Sequence, residues 1–178
     1  MLYWLKSLSA KRSAWLALVL TVLIVEAIAL YFQYGMNLQP CIKCIYIRVA
    51  FAGILVAGLI GVLAAPLLSI RLLALAGWLA AAGFGIYQAV ELVEIEQILA
   101  SGGFSTCALF ANFPSWLPLD KWLPAVFEVT GSCGMVDWQF AGLSMAYWSM
   151  LLLIAYFAVA FVLTLAQLAP LNRRHQRR

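Results

Sequence analysis

Four apolar runs decide what this chain can fold into. They are Ala14–Phe32, interrupted only by Glu26; Val49–Leu68, without a charge; Leu72–Val90, also uncharged; and a fourth within Leu143–Leu168, with its crossing at 145–167. Each is long enough to cross a bilayer, which takes about 20 apolar residues. No backbone N–H or C=O can go unpaired in lipid, so runs of this kind become helices. The expected fold is an all-α membrane protein: a single domain over 1–178, built as a bundle of four transmembrane helices with outer loops at 33–48 and 91–142. Only 10% of the residues are charged, against about 25% in a soluble domain. Nucleic-acid binding is excluded as a class, because the basic residues form short clusters and no basic stripe interleaves with aromatics.

The charges orient the bundle. Lys6, Lys11 and Arg12 precede the first run, Arg71 lies between the second and third, and Arg173, Arg174, Arg177 and Arg178 follow the fourth. With four crossings these segments share one side, and they hold eight of the eleven basic residues. An excess of Lys and Arg marks the cytoplasmic side. Six of the seven acids, Glu91, Glu94, Glu96, Asp120, Glu128 and Asp137, fall in the second outer loop. The basic residues ahead of the first run also suit a cleavable signal. That run is longer than a signal h-region and leaves through Tyr31-Phe32-Gln33-Tyr34 with no small-X-small site, so it is expected to stay as an anchor.

Small residues recur every fourth position in the second run (Gly53, Ala57, Gly61) and in the third (Gly77, Ala81, Gly85, Ala89). Such ridges let helices approach closely in lipid, and the short turn at Ser69-Ile70-Arg71 predicts an antiparallel pair. In the second outer loop Trp116, Leu117, Leu119, Trp122, Leu123 and Phe127 are interspersed with prolines. A short amphipathic helix around Leu119–Phe127, lying in the membrane interface, is expected there.

Between the first two runs lies a polar island, Pro40-Cys41-Ile42-Lys43-Cys44-Ile45-Tyr46-Ile47-Arg48. Topology puts it outside, with Cys107 and Cys133. In a bacterium this is the periplasm, where disulfides form and persist. The thiolate is the reacting form of cysteine, and nearby cations favour it. Lys43 adjoins both cysteines of the island. If Pro40 occupies the first helical position, Cys44 and Arg48 share a face at i and i+4, which points to a reactive Cys44 with Arg48 as its charge partner. A Cys-X-X-Cys ring is a poor stabiliser, whereas a bridge between Cys107 and Cys133 would close a loop worth about 3–4 kcal/mol and needs no redox role. A four-cysteine zinc site would show two close pairs, and His175 is in the cytoplasmic tail; no metal is expected. Arg48 sits where the second helix enters the membrane, which makes it a functional candidate against the plainer reading of snorkelling to headgroups. Its guanidinium suits the carbonyls of a membrane quinone. Glu26, the other buried ionisable group, either pairs with a cation or is held protonated.

These residues carry a resemblance over nearly the whole chain. Phe32-Gln33, Pro40-Cys41-X-X-Cys44-Ile45-Tyr46-X-Arg48, Phe104-X-Thr106-Cys107 and Trp116-Leu117-Pro118-Leu119-Asp120-Lys121-Trp122 resemble the bacterial DsbB family of disulfide-bond formation proteins. The resemblance implies two redox disulfides, Cys41–Cys44 and Cys107–Cys133, in a multi-pass protein of the inner membrane with both termini cytoplasmic. It implies that the second disulfide meets reduced DsbA, a periplasmic thioredoxin-fold oxidase, with Cys107 taking the mixed disulfide. Electrons then pass by exchange to Cys41 and Cys44. Cys44, as a thiolate supported by Arg48, delivers them to ubiquinone or menaquinone, and the respiratory chain reoxidises the quinol. Some relatives carry a histidine after the third helix; here Gln88–Glu96 contains none. Two other readings lead elsewhere. A reductase of the vitamin K epoxide type usually carries its Cys-X-X-Cys late in the chain, often beside a thioredoxin-like domain. A tetraspan scaffold would keep its function without Cys41 and Cys44.

Overall fold

The computed structural model describes residues 6–168 except 8, 105, 106, 109 and 137, with the backbone alone at 64. Thr106, Asp137, His175 and the terminal arginines named above therefore lie outside the described residues. Four long helices carry the fold: α1 (Arg12–Gly35), α2 (Ile42–Ala64), α3 (Leu68–Ala100) and α6 (Met145–Leu168). All four are long and apolar enough to cross a membrane. Between α3 and α6 stand two single-turn helices, α4 (Leu119–Trp122) and α5 (Pro124–Phe127), and two short strands, β1 (Gln139–Phe140) and β2 (Leu143–Ser144).

Packing follows chain order, α1 on α2, α2 on α3 and α3 on α6. The small-residue ridges lie between α2 and α3. A Cβ on Gly53 would sit 3.0 Å from that of Ala81, and one on Gly85 2.8 Å from that of Ala50. Gly61 faces α1 instead, where a side chain would overlap the Trp15 ring. The turn between α2 and α3 is Ala65–Leu67, so Arg71 belongs to the first turn of α3. It is buried and donates to Ala65 O (3.3 Å) and to Gln167 Oε1 on α6 (2.9 Å). Gln167 Nε2 in turn donates to Ser9 Oγ at 2.5 Å. The start of α1, the α2–α3 turn and the end of α6 thus meet at one end of the bundle.

At the other end the helices outlast their apolar runs. α2 begins at Ile42, which puts Cys44 and Arg48 inside the helix, and α3 continues to Ala100. Hydropathy marks the length that lipid covers, whereas a helix continues wherever packing supports it. α1 closes with Asn37 in the left-handed region (φ 54) and Leu38 N–H bonding to Phe32 O (3.1 Å), a turn that suits asparagine. The single helix expected over Leu119–Phe127 is divided at Leu123 (φ −136, ψ 64), because a residue before proline is pushed out of the helical region. Trp116, Trp122 and Leu123 are exposed, while Phe127 is buried. The strands form a two-residue hairpin, with Gln139 opposite Ser144 and Phe140 opposite Leu143. Both turn residues, Ala141 (φ 52) and Gly142 (φ 78), have positive φ, as a tight hairpin requires.

Candidate functional site

Cys41 does not follow a helical proline; it is itself the N-cap of α2. Its backbone is extended (φ −79, ψ 169) and its Sγ accepts the Cys44 N–H at 3.3 Å. A sulfur here meets the unsatisfied N–H groups and the positive end of the helix dipole. Cys44 follows one turn later, and the two Sγ atoms, present as thiols, are 2.7 Å apart. The hydrogen bond from the Cys44 thiol, helped by backbone N–H groups, holds the Cys41 thiol below the ordinary range against the opposing effect of burial. In this geometry Cys41 is a sulfur prepared to carry negative charge. The sequence points to Cys44 as the reactive sulfur, with Arg48 as its partner.

Both cysteines line a cavity of about 320 Å³ between α1, α2, α3 and α6. Phe32, Ile47, Phe51, Leu92, Met145 and Trp148 give it apolar walls, and Glu26, Gln33 and Arg48 also line it. Arg48 does not snorkel. It is 7% exposed and donates to Gln33 Oε1 (2.5 Å) and Ala29 O (3.1 Å) on α1 and to Val126 O (3.0 Å) on α5. It thereby ties α1 and the outer loop to α2. These three bonds leave two of its five N–H donors. Glu26, one turn before Ala29, has a buried Oε1 with no hydrogen-bond partner. On the far wall, Ser144 Oγ donates to Glu96 Oε2 at 2.5 Å. An aromatic series runs from the cavity wall onto the hairpin. Phe32 and Trp138 have ring centroids 5.0 Å apart, Phe140 lies 6.1 Å from Trp138, and Trp148 lies 6.0 Å from Phe140.

Cys107 and Cys133 are joined by a disulfide, with Cα atoms 6.0 Å apart. Among the described residues no group of three or more His, Cys, Asp or Glu is placed to hold a metal. Cys133 is buried and Cys107 half-buried. The backbone brings this pair to the first: Thr130 and Gly131 N–H both donate to Pro40 O, at 3.1 and 3.0 Å. A side chain at Gly131 would collide with the Gln39 carbonyl, and one at Gly134 (φ +83) with Leu99 and Ile95 near the end of α3. Gly131 thus lets the segment around Cys133 lie against Gln39 and Pro40, and Gly134 lets it rest on the end of α3.

Lys43 takes no part in this face. Its ammonium reaches across to α3 and donates to Gln88 Oε1 (3.0 Å) and Glu91 Oε2 (2.6 Å). Gln33, Gln88, Glu91 and the Glu96–Ser144 pair are the site neighbours that sequence reasoning missed. Only Gln33 carried a signal, since it stands within Phe32-Gln33, one of the segments of the resemblance.

Four helices apolar enough to cross a membrane, with one cysteine pair on an internal cavity and a second on the adjoining loop, are the parts expected of a membrane protein of disulfide chemistry. Residues 11–163 match the family model described as "Disulfide bond formation protein DsbB". Relatives named disulfide bond formation protein B include one from Photorhabdus laumondii, 46% identical over 167 residues (94% of this chain and 97% of the relative). Another, from Sodalis glossinidius, is 44% identical over 93% of each chain. A third, from Yersinia pestis, is 45% identical over 98% of this chain and 97% of the relative. The chain belongs to the DsbB family of disulfide bond formation proteins.

Proposed function

We propose that the protein is a quinone-dependent protein-dithiol oxidase of the bacterial inner membrane. It reoxidises a DsbA-like thioredoxin-fold oxidase in the periplasm and passes the electrons to ubiquinone or menaquinone. The observation that carries this reading is the cavity shared by Cys41, Cys44, Arg48 and Glu26, beside a second disulfide held against Pro40. The segregation of Lys11, Arg12 and Arg71 at the opposite end of the bundle supports placing the cysteines outside.

The residues fit a quinone headgroup. The volume and apolar walls suit a flat ring, the remaining Arg48 N–H groups suit a carbonyl oxygen, and Glu26 Oε1 is a buried polar atom still without a partner. A bound quinone supplies a two-electron, two-proton acceptor. The chain's own residues do the rest. Cys107, the more exposed sulfur of its pair, receives the partner's thiolate, and Cys133 leaves. The partner's second thiol then breaks the mixed disulfide and frees Cys107. Cys133, docked beside Pro40, attacks Cys41 of an oxidised Cys41–Cys44 pair, and Cys44 departs as a thiolate toward the cavity and Arg48. Cys107 next attacks Cys133, which restores the second disulfide and leaves Cys41 and Cys44 reduced. Re-forming the Cys41–Cys44 bond releases two electrons and two protons to the acceptor. Cys41, the sulfur prepared as a thiolate, closes the bond onto Cys44 as the electron pair passes from Cys44 to the acceptor.

The test is quinone reduction by the purified protein on addition of a reduced DsbA-like oxidase. Cys44→Ser is expected to abolish it while Cys107 still forms the mixed disulfide; reduction that survives Cys44→Ser overturns the mechanism. Arg48→Ala is expected to raise the quinone KM about tenfold, the effect of losing about 1.4 kcal/mol, and to change exchange with the partner less. An unchanged KM removes Arg48 from the quinone site.

A further inference from the structure

Lys43 stands between the two cysteines, in the first turn of α2. A lysine there can reach either sulfur, and a cation close to a thiol favours its thiolate. The structure takes this charge elsewhere. The ammonium is held by Glu91 Oε2 at 2.6 Å and Gln88 Oε1 at 3.0 Å, two acceptors one turn apart on α3. Gln88 is itself buried, so its amide oxygen faces the ammonium between helices rather than water. The arrangement neutralises the one cation nearest the dithiol in sequence, and Arg48 is left as the cation on the cavity side.

We propose that Glu91 is a positioning residue: it holds the Lys43 ammonium on α3, off Cys41 and Cys44, and so sets how oxidising this cysteine pair is. The inference rests on the reading of Cys41 and Cys44 as a redox pair. Its physical content is an equilibrium. Charge that stabilises the thiolate stabilises the reduced pair and makes the disulfide more oxidising, as a strongly oxidising disulfide owes its potential to a stabilised reduced form. A dithiol that must give its electrons to a membrane acceptor works against such stabilisation. Pairing Lys43 with Glu91 removes it without removing the lysine.

The test is the redox equilibrium of Cys41/Cys44 in the purified full-length protein, free of quinone, in graded buffers of reduced and oxidised dithiothreitol. Peptide mass spectrometry after thiol labelling reads this pair separately from Cys107/Cys133. Glu91→Gln releases Lys43 toward the sulfurs and is expected to shift the equilibrium about tenfold toward the dithiol, which is about 30 mV for a two-electron couple. Lys43→Met leaves Glu91 unopposed and is expected to shift it the other way. The double variant, with both charges gone, returns close to the parent. A merely structural clamp between α2 and α3 predicts single-variant shifts of the same sign, or none, and either result overturns the proposal. Should Glu91→Gln fail to fold, the sign of the Lys43→Met shift decides. If the parent pair does not exchange with the buffer at all, the redox reading of Cys41 and Cys44 falls, and the inference falls with it.

Discussion

Cys41 and Cys44 are one helical turn apart and owe their geometry to α2. Cys107 and Cys133 are 26 residues apart, in a loop whose regular structure, among the described residues, amounts to two helical turns and a hairpin. The first pair is placed by backbone hydrogen bonds that any helix start supplies, so its sulfurs meet whether or not they are bonded. The second pair is placed by contacts outside itself: Pro40 O, the Gln39 carbonyl beside Gly131, and the end of α3 beneath Gly134. One pair is therefore stationary and able to face a cavity. On the proposed reading, the other is carried by a loop segment that meets a soluble partner. A relay between protein and membrane needs both kinds of site.

This contrast is sharpened most by removing each pair in turn. Replacing Cys107 and Cys133 by serine is expected to cost about 3–4 kcal/mol on the chain-entropy account of a loop of this length. Replacing Cys41 and Cys44 should cost less than about 1 kcal/mol. Thermal unfolding followed by circular dichroism compares the two, and equal losses would break the distinction. A smaller effect is expected from Gly131→Ala, whose methyl must displace the Gln39 carbonyl. We expect about 1–3 kcal/mol of destabilisation and slower exchange between the pairs, read by quenched-flow thiol trapping, with quinone affinity unchanged. The smallest effect concerns Cys41 alone. Its thiol is held below the ordinary range first by the Cys44 hydrogen bond, so its thiolate persists to lower pH than that of a free cysteine. Alkylation rate against pH should show this low midpoint, and Cys44→Ala, which removes the donor, should move the midpoint up.

Much of this frame was legible from residue types. The apolar runs, the small-residue ridges and the Cys-X-X-Cys before Arg48 foretell four helices, the α2–α3 contact and a polar site at a helix start. Three features were not legible, each for a physical reason. The start of α2 depends on the Cys41 sulfur acting as the cap, where the sequence puts Pro40 at the first helical position. The partners of Arg48 are mostly backbone carbonyls, which no sequence pattern marks. The hairpin turns on Ala141 at positive φ, where an asparagine–glycine or aspartate–glycine signal is the usual cue. Lys43 misled for a related reason: adjacency in sequence placed its charge beside the sulfurs, while side-chain length let it pair across the helix interface.

The length of α3 has a consequence of its own. Its 33 residues span about 50 Å at 1.5 Å per residue, well beyond a hydrocarbon layer of about 30 Å. The outer turns, with Ile95 and Leu99, form a rigid post that supports the Gly134 segment. Helices answer a change in bilayer thickness by tilting, and a tilt of α3 moves the top of such a post furthest. On the proposed reading, the distance between the two cysteine pairs depends on how this post stands, so bilayer thickness enters the geometry of their exchange.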